Sequence, residues 1–184
     1  MPFNIIKYGD DRLRQSSKSI TKNDQPAELI QMLFETLAQQ GGIGLAAPQV
    51  GINQSVFVID TTLQTNSDDA CKPFKAAYIN PEITWFSEKS CRFNEGCLSV
   101  PSIYKDIERP SSIRVRYLDT TFNKVEETLH GIKARIFQHE YDHLEGVLFI
   151  DHLHPIRKLF ICHKLLYFRG KFLHSQKKEL KMGV

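Results

Sequence analysis

Gln138-His139-Glu140-Tyr141-Asp142-His143 sets two imidazoles four residues apart, which puts them on one face of any helix that contains them. A metal ion needs that geometry. Glu140 follows the first imidazole directly, so its carboxylate reaches a water on such an ion without being a ligand, as the general base of a zinc hydrolase does. The bland alternative is a solvated helix face that carries two histidines. A catalytic site takes three protein ligands and leaves one position open, so a third must come from elsewhere. A further histidine six residues after His143 is missing, because Phe149 stands there. A glutamate from a later helix is hard to supply, since the only acids after Glu145 are Asp151 and Glu179, but His163 lies at a suitable distance. Cys97 is the other candidate, because Cys with two His is an established open zinc set and thiolate also suits Fe(II). The residues alone leave both open.

Composition narrows the class. With 184 residues, 41% of them apolar, the chain can bury one real core, and no repeat or long linker divides it, so residues 1–184 read as one domain. Met1-Pro2-Phe3-Asn4-Ile5-Ile6-Lys7 contains no apolar run of signal-peptide length, and nowhere do about 18 uncharged apolar residues stand together. A soluble, cytoplasmic protein with no membrane partner is expected. Cys71, Cys91, Cys97 and Cys162 form no CxxC pair, so a disulfide framework is not expected. The net charge of +3 is uneven: from Pro155 onward eight Lys or Arg face Glu179 alone. That stretch reads as a solvated helix with a frayed basic tail from about residue 170, or as a surface for an acidic partner.

The pattern of elements follows from spacing and punctuation. Asn4 to Ile20 reads as an extended arm and turn. Asp24 is a good N-cap, and Leu29, Ile30, Leu33, Phe34 and Leu37 recur at helical spacing until Gly41-Gly42. Gly42-Ile43-Gly44-Leu45-Ala46-Ala47-Pro48-Gln49 is a run of small residues that lets backbone approach a ligand and ends in an amide side chain, although a tight helix-to-strand connection would use the same glycines. Gln54 to Asp60 and Ala76 to Ile79 read as strands, with Pro81 to Phe86 continuing the sheet and Thr61 to Lys75 as a surface loop. Asn94-Glu95-Gly96-Cys97-Leu98-Ser99-Val100-Pro101 carries the candidate thiolate. Ser111 to Asp119 and Lys124 to His130 alternate as an antiparallel pair. Gly131 opens the metal helix, on which Ile132, Ile136, His139 and Glu140, His143 and Val147 share one side.

Three stretches now stand together: Gly42 to Gln49, Glu95-Gly96-Cys97-Leu98-Ser99, and Gln138 to His143. In this order and spacing they resemble the three motifs of the peptide deformylases, and Ile6-Lys7-Tyr8-Gly9-Asp10-Asp11-Arg12-Leu13-Arg14 is similar to that family's N-terminal arm, with Gly9 where the family pattern has proline. The resemblance implies an α+β fold of one domain: antiparallel or mixed β-sheets wrapped around a central HExxH helix, with an N-terminal and a C-terminal helix. It implies a metal held by Cys97, His139 and His143, leaving His163 outside. The implied reaction removes the N-formyl group from N-formylmethionyl peptides and nascent chains, releasing formate.

Under that resemblance Glu140 moves the proton, and the Gln49 side chain and Leu98 backbone N–H are the oxyanion donors. Ile43, Ile132 and Ile136 form an apolar wall for the methionine side chain, and Gly44 and Gly96 belong with them to substrate binding. Glu95 and Arg109 pair to brace the cysteine loop. Two departures bear on side-chain preference: Arg135 one turn before His139, where the pattern is apolar, and Tyr104 in place of an arginine. The implied metal is Fe(II) in the cell, with Zn(II), Ni(II) or Co(II) as substitutes. Ile156, Leu159, Phe160, Leu166 and Tyr167 suggest an amphipathic helix packed on the body with Lys164, Arg169 and Lys171 outward, the kind of terminal helix that docks on the ribosome; no DNA partner is implied. The rival is a peptidase that uses His163 instead of Cys97, and a purely structural metal would want a fourth protein ligand.

Overall fold

A computed structural model describes residues 2–62 and 73–182. Helix α1 (Ala27–Gln40) is followed by strands β1 (Gly44–Ala46), β2 (Val56–Asp60), β3 (Lys75–Phe86), β4 (Ser90–Cys97), β5 (Val100–Pro110), β6 (Ser112–Leu118) and β7 (Lys124–His130). Then come α2 (Gly131–Leu144), a short α3 (Pro155–Leu159) and α4 (Cys162–Met182). One sheet has the order β1-β2-β3-β6-β7 and the second is the β4-β5 hairpin, with every named pair antiparallel. The fold is α+β, as expected.

Strand β2 explains the layering. Its five residues Val56 to Asp60 are all buried, because its alternate side chains serve opposite faces of the sheet. Val56 and Val58 pack with Ile30, Leu33 and Leu37 of α1. Phe57 and Ile59 pack on the other face with Ala134, Ile136 and Phe137 of α2. Phe57, Tyr78 and Phe137 lie with ring centroids 5.0 Å apart pairwise, and Phe137 meets the other two edge-on, the favoured aromatic geometry. Helix α2 therefore has a sheet behind it. The hairpin packs its apolar residues Val100, Ile103 and Ile107 on Leu148, Phe149 and Ile150 of the segment after α2, and meets α2 itself through polar contacts such as Glu95 with Arg135 and His139.

Several boundaries differ from the sequence reading. Helix α1 starts at Ala27 with Pro26 as its cap; Asp24 instead closes a separate 3₁₀ turn (Lys22–Asp24), accepting from the Thr21 N–H and hydroxyl. The β4-β5 hairpin is not legible from spacing, where only the cysteine-bearing stretch stands out, because its residues Arg92, Phe93 and Asn94 are exposed in succession and break the period of two. The loop expected over Thr61 to Lys75, with Cys71, lies mostly outside the described residues. Gly9 has φ +109°, a region proline cannot enter, and a Cβ there would come within 2.9 Å of the Arg169 Cα on α4.

The terminal helix packs by a different face from the one its spacing suggests. Ile156, Leu159, Phe160, Leu166 and Tyr167 are exposed, while Ile161 and Leu165 are the buried residues and Phe168 packs partly against the same cluster. The segment carries two apolar stripes, and spacing alone does not say which one meets the body. Lys164, Arg169 and Lys171 are exposed as expected, and α4 continues to Met182 across the stretch read as a frayed end. No helix among the described residues is long and apolar enough to cross a membrane.

Asp151 ties the arm to the segment after α2. Its carboxylate accepts from the Leu148 N–H at 2.9 Å, from Lys158 at 3.0 Å and from Arg14. Burial opposes its charge, but Arg14, the Leu148 N–H and Lys158 outweigh burial and hold its pKa at about 2. A carboxyl depressed in the folded state adds stability above its unfolded pKa, near 3.9, that is lost as pH falls toward 2. Asp151→Asn is expected to lose about 1 kcal/mol at pH 7, the size of a lost cap plus screened ion pairs. Urea titrations at pH 7 and pH 2.5 should show that deficit shrinking on acidification.

Candidate metal centre and active site

Two elements bring the site together. Helix α2 carries His139 and His143 one turn apart, and the end of β4 carries Cys97. Cys97 Sγ lies 3.2 Å from His143 Nε2, and the nearest donor atoms of Cys97, His139 and His143 all fall within 4.8 Å of one another. A soft thiolate and two imidazoles at that spacing fit a transition-metal ion with a position to spare. Burial disfavours a charged Cys97, but His143 and His139 outweigh it and hold the thiol well below its ordinary pKa, in the form that binds metal. His163 is exposed on α4 and lies outside the group, which removes the peptidase alternative.

Glu95 on β4 sets the orientation of His139. Its carboxylate, 6% exposed, lies 2.9 Å from His139 Nδ1. An ionised carboxylate only accepts, so Nδ1 donates to it and Nε2 faces Cys97. Glu95 also accepts from Arg109 at 2.8 and 3.0 Å and from Arg135 at 2.7 Å. Burial works against its charge, and His139 and Arg109 overcome this to hold its pKa well below the carboxylate range. Arg109 reaches on to Asp142 at 2.7 Å, which His152 meets at 2.7 Å. The expected Glu95 to Arg109 pair is thus present inside a larger network.

Glu140 is 3% exposed, and its Oε2 is buried with no hydrogen-bond partner among the described residues. Burial raises its pKa to about 7 against the pull of His139 and His143. Gln49 sits in a 3₁₀ turn (Ala47–Val50) after β1; its Oε1 accepts from the Ala46 N–H at 2.8 Å, which turns its amide nitrogen toward Cys97 Sγ at 3.5 Å. Leu98 lies in the turn between β4 and β5, beside Cys97. A cavity of about 560 Å³ opens here, lined by Ile43, Gly44, Gln49, Gly96, Cys97, Leu98, Ile132, Ile136, His139 and Glu140. A group that could hold an ion, a buried carboxylate, the Gln49 amide and an apolar wall share one pocket, and metal-assisted hydrolysis is the chemistry such a set could serve.

The sequence matches the Polypeptide deformylase family over residues 2–159. The chain belongs to that family. It is 40% identical to a peptide deformylase of Cytophaga hutchinsonii over 168 residues, covering 90% of this chain and 89% of the relative. It is 45% identical to one of Rhizorhabdus wittichii, covering 88% and 92%. Among solved structures it is similar to the peptide deformylase of Plasmodium falciparum, with TM-score 0.84 and 34% identity over 94% of this chain and 98% of that one. It is also similar to the Acinetobacter baumannii enzyme, with TM-score 0.79 and 33% identity over 83% and 99%. The protein is a peptide deformylase, a hydrolase that removes the N-formyl group of new polypeptides.

The two departures in this deformylase have different physical fates. Arg135 lines the cavity, but its charge is turned away into Glu95, the Ile107 carbonyl at 3.1 Å and the Cys91 carbonyl at 2.6 Å, with its guanidinium 5.0 Å from the Phe93 ring centroid. Tyr104 is 67% exposed at the cavity, and its ring lies where a Cβ on Gly96 would be. Sequence reasoning missed Lys7 and Phe93, which also line the cavity. Nothing in a lone lysine of an extended arm signals it.

Gly44 is needed where it stands. A Cβ there would meet Glu140 Cδ and Cγ at 2.7 and 2.8 Å, so a methyl group and the seated carboxylate exclude each other. A positioned proton acceptor contributes about 10²–10⁴-fold, and Gly44→Ala is expected to lower deformylation about a hundredfold while metal content holds. Rate and metal content measured on the same preparation check this.

Proposed function

We propose that Cys97, His139 and His143 hold one divalent ion, Fe(II) in the cell with Zn(II), Ni(II) or Co(II) as substitutes, and that Glu140, Gln49 and Leu98 carry out deformylation around it. The single observation behind this reading is the convergence of the three donor atoms, within 4.8 Å, on the cavity that Glu140 also lines. Such an ion, when bound, lowers the pKa of a water and polarises a carbonyl oxygen. The chain's own groups do the rest. Glu140, buried at the cavity with an oxygen that has no partner among the described residues, takes the proton of the attacking water and hands it to the departing amine. The Gln49 amide and the Leu98 N–H donate to the oxygen that becomes negative, each worth about 10²–10³ in rate. Glu95 keeps the His139 ring in register.

The methionine side chain enters against Ile43, Ile132 and Ile136, with Gly44 and Gly96 giving the peptide backbone close approach. Support comes from the cavity, which all five residues line, and from the Acinetobacter baumannii relative, described as bound to Met-Ala-Ser. Because the Arg135 charge is spent on Glu95, the wall stays apolar enough for a thioether. The substrates are N-formylmethionyl nascent chains, and the place of action is the cytoplasm.

Docking on the ribosome is part of the same reading. From Pro155 to His174 the chain has five cations and no carboxylate, with Arg157, Lys164, Arg169 and Lys171 exposed. Binding that rests on phosphate contacts weakens steeply with salt. Sedimentation with ribosomes should show retention at low salt that falls as salt rises, and retention surviving both removal of residues 170–184 and Lys164→Glu would refute it.

The decisive test of the chemistry is formate release from formyl-Met-Ala-Ser by protein prepared without oxygen. Glu140→Ala is expected to keep its metal and lose about 10²–10⁴-fold in rate, and Cys97→Ala to lose the metal itself. Full activity in Glu140→Ala, or full metal occupancy in Cys97→Ala, would overturn the assigned roles.

A further inference from the structure

The two segments assigned the oxyanion donors belong to different sheets. Gln49 follows β1 of the five-stranded sheet, whereas Leu98 lies in the turn of the hairpin. The direct links from the Gln49 side chain to the hairpin are weak ones, 3.5 Å to Cys97 Sγ, a poor acceptor, and a long 3.4 Å to Ser99 Oγ. Three consecutive residues of the N-terminal arm make shorter ones. The Ile6 N–H donates to the Gln49 carbonyl at 2.8 Å and the Tyr8 N–H to the Ser99 carbonyl at 2.8 Å. Between them the Lys7 ammonium donates to the Leu98 carbonyl at 2.9 Å, and Lys7 lines the cavity. The arm is pinned on both sides of this contact, by the Phe3 N–H on Thr36 Oγ1 at 2.9 Å and by Gly9 against the backbone of α4.

We propose that residues 6–8 are a strap across the two halves of the oxyanion site, with Lys7 as a positioning residue that orients Leu98. Oxyanion donors work only when fixed at hydrogen-bond distance from where charge develops, and a misplacement of about 1 Å can cost about a hundredfold. A backbone N–H in a hairpin turn has the freedom to miss by that much unless its neighbouring peptide is held. Lys7 holds the Leu98 carbonyl and Tyr8 the Ser99 carbonyl, so the turn is gripped on the two peptides that follow the donor. Ile6 grips Gln49 from the same strand of chain, which makes the separation of the donors a property of the arm. The inference rests on the assignment of Gln49 and Leu98 as donors.

The test compares Lys7→Met, which keeps the stem and loses the donor, with Lys7→Arg and Gln49→Leu, all as metal-loaded enzyme acting on formyl-Met-Ala-Ser. Lys7→Met is expected to lose about tenfold or more in kcat with KM within about twofold, because positioning is realised in the transition state. Its metal content and melting temperature should match wild type, and Lys7→Arg should regain most of the rate. Wild-type kcat in Lys7→Met beside an impaired Gln49→Leu overturns the strap and leaves the donors standing. Wild-type kcat in Gln49→Leu overturns the donor assignment and the strap with it. A loss in Lys7→Met that Arg does not restore, or that tracks lost metal or melting temperature, assigns Lys7 to stability alone and also overturns the proposal.

Discussion

A buried carboxylate among three nitrogen-bearing side chains, Glu95 is the point on which the rest of the site depends. It lies on β4, accepts from Arg109 on β5 and from Arg135 and His139 on α2, and so joins the hairpin to the central helix by charge as well as by packing. Left alone at 6% exposure a carboxylate would be costly, and removing one partner of such a group leaves an uncompensated charge worth about 3–5 kcal/mol. Satisfied on both oxygens, it does two things together. It docks the strand end that carries Cys97, and it fixes which ring nitrogen His139 turns toward the ligand group.

The same network accounts for an arginine in an apolar pocket. Arg135 stands on the helix face that lines the cavity, yet its guanidinium runs past the wall to Glu95 and to the carbonyls of Ile107 and Cys91. Its charge is buried and neutralised behind the wall by Glu95, with Nε the one guanidinium nitrogen left without a partner among the described residues. Phe93 shields it from the outside at 5.0 Å. The pocket is thus apolar in front and ionic behind.

Legibility in the sequence followed the range of the interactions. Helix α2 was evident because its period, its glycine start and its two histidines lie within one short stretch, and the β6-β7 pair was evident from alternation alone. Cys97 was ambiguous from its own surroundings and became distinct from His163 only when three motifs were taken jointly. The pairing of Glu95 with Arg135 spans 40 residues, and that of Lys7 with Leu98 spans 91, so neither leaves a local trace. The terminal helix was misread for another reason: it bears two apolar stripes, and the choice between them is made by the hairpin cluster of Val100, Ile103 and Ile107, on which Ile161 and Leu165 fall.

The ligand set is split between a hairpin and a helix, each of which can form from contacts near in sequence, with Cys97 and His139 separated by 42 positions along the chain. An ion that needs all three donors would bind the docked arrangement and not the unfolded chain, so it would stabilise the folded state by mass action in proportion to its concentration over its Kd. Docking of the hairpin through Glu95 is what brings Cys97 within reach of the two histidines, so metal affinity and the seating of the hairpin would be linked, each strengthening the other.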